Sequence, residues 1–139
     1  MKTQTEIVIE TIQHYLPDPL YRRGKKPTGE CLYHVPALFD VPERHCAVGR
    51  CMTAESLAAF GGFAGDVETL ETELGDTLDT LLREEYCGHS QEFWSNLQAL
   101  HDRDNNWLPG DEGACYRGEF LRDIFPDAVQ RALELGLIQ

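Results

Sequence analysis

Apolar residues recur at helical intervals near the start of the chain. From Val8 to Leu16 they lie three or four positions apart, and Thr3 and Glu6 have the spacing of a helix capping box. Pro17 ends the pattern, because proline lacks the amide hydrogen that the next helical bond requires. The pattern therefore predicts an N-terminal helix that ends before Pro17.

Similar apolar stripes, bounded by glycine, proline and polar capping residues, predict further helices along the chain. The segments with this pattern are residues 46–60, which we interpret as one or two short helices with Thr53 as a cap, and residues 66–74, 78–86, 90–102, 119–125 and 126–135. One stretch has a different character. The segment "CLYHV" (31–35) is followed by Pro36 and predicts a short strand.

These elements predict a mainly α fold: a single compact domain over residues 1–139, with about six short helices and at most one small β element. The length of 139 residues fits one domain, because a division into two would leave each half with a marginal core.

Charge narrows the classes of function. Twelve basic and 24 acidic residues give a net charge of −12, and a field of that sign repels phosphate backbones. Direct nucleic-acid binding is therefore disfavoured, and a partner protein with a basic surface is favoured. The opening "MKTQTEIVIE" lacks an apolar signal core, no apolar run is long enough to span a bilayer, and five cysteines do not form a closed disulfide set. We therefore expect a soluble protein of a reducing compartment, without membrane contact.

Residues 66–85 concentrate the negative charge, with eight acidic residues and one base, a local net of −7. The apolar stripes turn most of these carboxylates toward solvent, where they form either a solvated helix surface or a face that binds a basic protein. The candidate partner-binding residues are Glu68, Glu71, Glu73, Asp76 and Asp79. The basic loop Arg22–Lys26 is the opposite case, a weak candidate for a phosphate or carboxylate contact.

Four residues, Cys31, His34, Cys46 and Cys51, are ligand types that zinc takes in tetrahedral sites. The spacing argues against their convergence, because five helical steps of about 100° separate Cys46 from Cys51 by roughly 140° around the axis. The favoured interpretation is that the small residues near Gly49 permit close packing.

A cysteine nucleophile with His101 and Asp102 is a further hypothesis. His101 follows Leu97 by four positions, so we expect it to face the core, whereas Asp102 is expected to point elsewhere on the helix. No phosphate-binding loop, nucleophile elbow or His-Glu-x-x-His motif is present.

Four segments resemble, in order, a group of small phage-encoded proteins without an established biochemical function: "GECLY" (29–33), "CAVG" (46–49), "NLQALHD" (96–102) and "AVQRALELGLIQ" (128–139). The resemblance implies a phage or prophage setting and the bacterial cytoplasm. It covers Cys31, Tyr33, Cys46, Gly49, Leu97, Gln98, His101 and Asp102, but neither His34 nor Cys51. A metal site consistent with the resemblance would therefore use Cys31, Cys46 and His101, with Asp102 as the fourth ligand.

These observations predict a non-enzymatic phage accessory protein that needs no cofactor. It would bind and inhibit a host protein through its acidic surface, and a nucleic-acid-handling defence complex such as a CRISPR effector is the most concrete target. The alternatives are a small domain with a structural zinc site and an enzyme with a cysteine nucleophile.

Overall fold

Helices dominate the part of the chain that the computed structural model describes, which is residues 1–17, 22–23, 32–37, 39, 42–103, 107 and 119–138. The α-helices of this part are α1 (Gln4–Tyr15), α2 (Ala54–Phe60), α3 (Val67–Leu74), α4 (Gln91–Asp102), α5 (Glu119–Ile124) and α6 (Pro126–Glu134). Two antiparallel strands, β1 (His34–Val35) and β2 (Arg44–His45), form a small hairpin. The predicted mainly α fold with one small β element is confirmed.

The predicted capping residues begin the helices. The Thr3 hydroxyl accepts a hydrogen bond from the Glu6 amide at 3.1 Å, and the Glu6 carboxylate accepts one from the Thr3 amide at 3.2 Å. Thr53, Asp66 and Ser90 cap α2, α3 and α4 in the same way, each through a side-chain oxygen. Because these bonds join residues only three positions apart, the helix starts could be predicted from the sequence.

The helix predicted over residues 78–86 is wrong. This segment forms two 3₁₀ turns, Leu78–Thr80 and Glu84–Tyr86, joined by extended backbone at Arg83. Its backbone forms hydrogen bonds with residues 51–53. The Thr53 amide donates to Leu81 O at 3.0 Å, and the Arg83 amide donates to Cys51 O at 3.0 Å. Tertiary hydrogen bonds thus replace the helical ones, while Leu78 still reaches the core.

Helix α1 lies at the centre of the packing, against α4 and α6, and α4 in turn contacts α3 and α5. The buried apolar side chains form one continuous cluster, in which Trp94, Trp107, Tyr15 and Tyr33 are the largest members. None of the described helices is long and apolar enough to cross a membrane.

The hairpin joins this core through small residues. The His34 amide donates to Gly61 O at the end of α2 at 2.9 Å. Gly49 lies directly against the Tyr33 carbonyl, where a β-carbon would overlap the backbone. Cys46, Ala47 and Cys51 are fully buried beside it. The close approach predicted at Gly49 is present, but its neighbour is the Tyr33 backbone and not another helix. The helical structure predicted over residues 46–60 consists of the 3₁₀ turn Gly49–Cys51 and of α2.

Candidate functional site

Helix α3 presents the predicted acidic residues around its solvent side. Val67 and Leu70 face the core, while Glu68 and Glu73 are exposed and Glu71 is half-buried. At about 100° per residue, Glu68 and Glu71 lie about 60° apart, whereas Glu73 lies about 140° from Glu68. The carboxylates therefore border both sides of the exposed half of the helix instead of forming one row.

The acidic residues of this region differ in whether their carboxylates make hydrogen bonds within the fold. The Asp66 carboxylate caps α3 by accepting from the Thr69 amide at 2.8 Å. Asp79 accepts from the Gly88 amide with both oxygens, at 3.2 and 3.3 Å, and so helps to hold the turn after residue 78. Asp76 is exposed and accepts from the adjacent Thr77 amide at 2.7 Å.

Glu68, Glu71 and Glu73 are different, because their carboxylates make no hydrogen bond or ion pair within the described part of the chain. The one base of the acidic segment does not neutralise them. Arg83 donates to Arg50 O at 2.9 Å and lies 5.0 Å from the centre of the Tyr86 ring. Among the described residues, the acidic surface of α3 is thus left without a counter-charge.

The described cysteines of the predicted sites are buried. Cys46 is 0 % exposed, its sulfur accepts from the Gly49 amide at 3.2 Å, and burial raises the pKa of its thiol. Burial likewise raises the pKa of Cys51 to about 12. Burial therefore disfavours the thiolate, which is the reactive form, at both positions. Cys31 lies outside the described residues.

His101 faces the core as predicted, but the expectation for Asp102 is wrong. His101 Nδ1 lies 2.7 Å from Asp102 Oδ1, and since a carboxylate only accepts, Nδ1 carries the proton. The side chains of adjacent helical residues meet here because the Asp102 carboxylate turns back toward the imidazole. The same oxygen accepts from Gln98 Nε2 at 3.1 Å.

Gln98 links this pair to the segment that holds Cys46, because its Oε1 accepts from the Val48 amide at 3.4 Å. The imidazole of His101 packs edge-on against Tyr15, with ring centres 4.9 Å apart. We refer to His101, Asp102, Gln98 and Cys46 as the α4 polar cluster. Each of its members is held by bonds inside the fold.

Two more side chains satisfy the carbonyl groups at the end of α4. Trp107 Nε1 donates to Leu100 O at 2.9 Å and to His101 O at 3.0 Å, and Arg23 Nη2 donates to Asp102 O at 3.0 Å. Arg22, the other described member of the basic loop, donates to His14 O near the end of α1 at 2.9 Å. These two arginines therefore stabilise helix C-termini. Residues 24–26 of the loop lie outside the described residues.

A cavity of about 230 Å³ lies between the start of α3 and α4. Its polar wall consists of Asp66, Ser95, Gln98 and Asp102. Because Asp66 and Asp102 both bring carboxylates, the cavity favours a cationic or hydrogen-bond-donating group over an anion.

The predicted metal ligands do not form a compact set among the described residues. There, one group of at least three His, Cys, Asp or Glu side chains has all its ligand atoms within 4.8 Å of one another, and it consists of His34, Glu43 and His45. The spacing of the cysteines had grouped His34 with Cys31, Cys46 and Cys51 and not with these two residues. One feature of the sequence could have predicted this group. Glu43 and His45 are two positions apart, and in an extended segment such a spacing puts both side chains on one face.

Comparison with known proteins adds no assignment. No family model, curated protein or solved structure matches this chain. The resemblance to small phage-encoded proteins therefore stays a prediction.

Proposed function

We propose that the protein acts without catalysis, by binding a partner protein with a basic surface through the acidic side of α3. The observation that carries the proposal is the lack of described counter-charges at Glu68, Glu71 and Glu73. Asp76 and Asp79 follow α3 in the chain; Asp76 is exposed, while the Asp79 carboxylate is half-buried and bonded to the Gly88 amide.

The mechanism is electrostatic complementarity. The helix is about 12 Å long, so its carboxylates span a short stretch of a basic groove. Carboxylates that already had arginine or lysine partners would have to exchange one ion pair for another, which yields little free energy. Carboxylates without partners break no ion pair when they bind, so only their desolvation opposes the gain, and the net charge of −12 accelerates the encounter.

The more specific form of the proposal is inhibition of a nucleic-acid-handling host complex, such as a CRISPR effector, in the bacterial cytoplasm. A channel that binds nucleic acid is lined with lysine and arginine, so an acidic protein surface can occupy it in place of phosphates. The resemblance to phage-encoded proteins supports this setting, and the charge supports the mode of binding.

The test compares two charge-reversed variants with the same net charge. The first carries Glu68→Lys, Glu71→Lys and Glu73→Lys. The control carries Glu55→Lys, Asp123→Lys and Asp127→Lys, which are exposed acidic residues on other helices. Each immobilised protein is used to capture binders from a bacterial lysate at low and at high salt.

We expect the wild type and the control to retain the same basic proteins at low salt, and the α3 variant to lose them. A plaque assay in a host with an active CRISPR system tests the specific form, because only proteins with an intact α3 surface should restore infection. The same captured set for both variants would contradict the proposal.

A further inference from the structure

Two histidines and a glutamate come together on the β hairpin. The antiparallel register places His34 directly opposite His45. Glu43 lies directly before β2, and its Oε2 is 3.1 Å from His34 Nε2. The ligand atoms of all three residues lie within 4.8 Å of one another.

The distances within the group are close to those of a metal site. His34 Nε2 and Glu43 Oε2 are 3.1 Å apart, and the two imidazole rings are stacked with centres 4.9 Å apart and an angle of 15° between their planes. Two ligands of a tetrahedral zinc ion, each about 2.0 Å from the metal, lie about 3.3 Å apart. His34 and Glu43 are already close to this separation, and the His45 ligand atom lies within 4.8 Å of both, so a site would require a side-chain adjustment at His45.

We propose that His34, Glu43 and His45 bind a divalent transition-metal ion, with zinc as the preferred ion. Imidazole nitrogen and carboxylate oxygen are common zinc ligands, and a site with three protein ligands leaves a fourth position for water or for a group from a partner. The Glu43 side chain is 61 % exposed and that of His34 is 23 % exposed, so an ion reaches the group directly from solvent.

The backbone of the hairpin is anchored independently of any ion. The Tyr15 hydroxyl donates to His45 O at 2.6 Å, and the Cys46 amide donates to Tyr33 O at 3.3 Å. Together with the bond from the His34 amide to Gly61, these contacts hold both histidines against α1 and α2. The backbone that carries the two histidines is thus fixed before binding, so that binding has to order side chains only, which lowers its entropic cost.

A hydrogen-bonded surface pair is the simpler explanation of the contact between His34 and Glu43. That explanation gives no role to His45, whose ring stacks on His34 from the opposite strand. A metal site requires all three residues. The substitution of His45 therefore distinguishes the two explanations.

The test uses the full chain, stripped of metal with a chelator and kept reduced. Zinc is titrated by calorimetry, and the melting temperature is followed as zinc is added. We expect one equivalent to bind and the melting temperature to rise with zinc concentration, because an ion that binds the folded state stabilises it. We expect His34→Gln, Glu43→Gln and His45→Gln each to weaken binding by more than about tenfold, since loss of even an outer partner of a metal ligand costs about that much.

Three matched variants complete the experiment. His89→Gln and Glu55→Gln remove the same residue types elsewhere and should bind zinc like the wild type. Cys31→Ser tests the thiol-based site and should also leave binding unchanged. No stoichiometric binding, binding that survives His34→Gln and Glu43→Gln, or binding lost only in Cys31→Ser would each overturn the proposal. If His45→Gln does not fold, the exposed Glu43 and the half-buried His34 provide the test alone.

Discussion

On α3, Glu68 and Glu73 extend into solvent without a described partner, whereas at the end of α4 the buried His101 is bonded to the partly exposed Asp102. His101 is 0 % exposed and is bonded to Asp102, which also binds Gln98. The comparison separates two uses of polar residues. Buried and bonded groups stabilise the fold, while exposed groups without partners add little to stability and remain available to a ligand.

The largest effect is expected from His101→Ala. The substitution removes a buried ring that packs against Tyr15 and leaves Asp102 without its 2.7 Å partner, so we expect the free energy of unfolding to fall by about 3 kcal/mol. Urea denaturation at neutral pH measures it. The matched control is Glu73→Ala on α3, with an expected change below about 0.5 kcal/mol. Equal losses in the two variants would remove the distinction between the regions.

Gly49→Ala tests the packing beside the α4 polar cluster. The new methyl group would overlap the Tyr33 carbonyl, and the backbone on both sides is held by hydrogen bonds, so we expect a loss of about 2 kcal/mol in the free energy of unfolding. Gly62→Ala is the control, because a β-carbon there meets no atom within 4 Å. If both alanine variants unfold at the same urea concentration, the close approach at Gly49 does not limit stability.

The exposure of His14 is intermediate between that of the α3 carboxylates and that of the buried His101. Burial, and then the charges of Arg50 and Arg22, lower the pKa of His14 from 6.5 to about 4. A lowered histidine pKa means that the unfolded chain binds the proton more readily, so stability is present above pH 6.5 and is lost as the pH falls toward 4.

We expect His14→Gln to flatten the fall of the unfolding free energy across that window, and Gln13→Ala, an exposed neighbour, to leave the slope unchanged. Urea denaturation at a series of pH values measures the slope. Identical slopes for the wild type and His14→Gln would show that other groups cause the acid sensitivity.

The smallest effect is expected from Glu68→Gln, Glu71→Gln and Glu73→Gln combined. Removing three charges without partners should change the free energy of unfolding by less than about 0.5 kcal/mol, with a slight gain at low salt as repulsion is relieved. Urea denaturation at low and high salt measures the change, and Glu55→Gln, Asp123→Asn and Asp127→Asn serve as the control. A loss above about 1 kcal/mol would mean that the α3 carboxylates are structural, and it would weaken the proposed binding function.

The local signals of the chain predicted most of the helices, because each signal acts within one turn. Thr3 with Glu6, Thr53, Ser90 and Pro126 mark helix starts through bonds or constraints that need no other part of the molecule. The inward position of His101 followed from helical spacing in the same way.

Contacts between distant segments determine the features that the local signals did not predict. The backbone bonds of Leu81 and Arg83 to residues 51–53 converted a helical pattern into 3₁₀ turns. The rotation of the Asp102 carboxylate toward His101 depends on Gln98, which is held in turn by the Val48 amide. The grouping of His34 with His45 depends on a strand register that joins positions eleven residues apart. The sequence alone therefore determined the helical class and the acidic character of the protein, since these depend on composition and near neighbours. Only the tertiary structure decided which polar groups are bonded, which are left to solvent and which three meet on the hairpin, since those outcomes depend on contacts between distant segments.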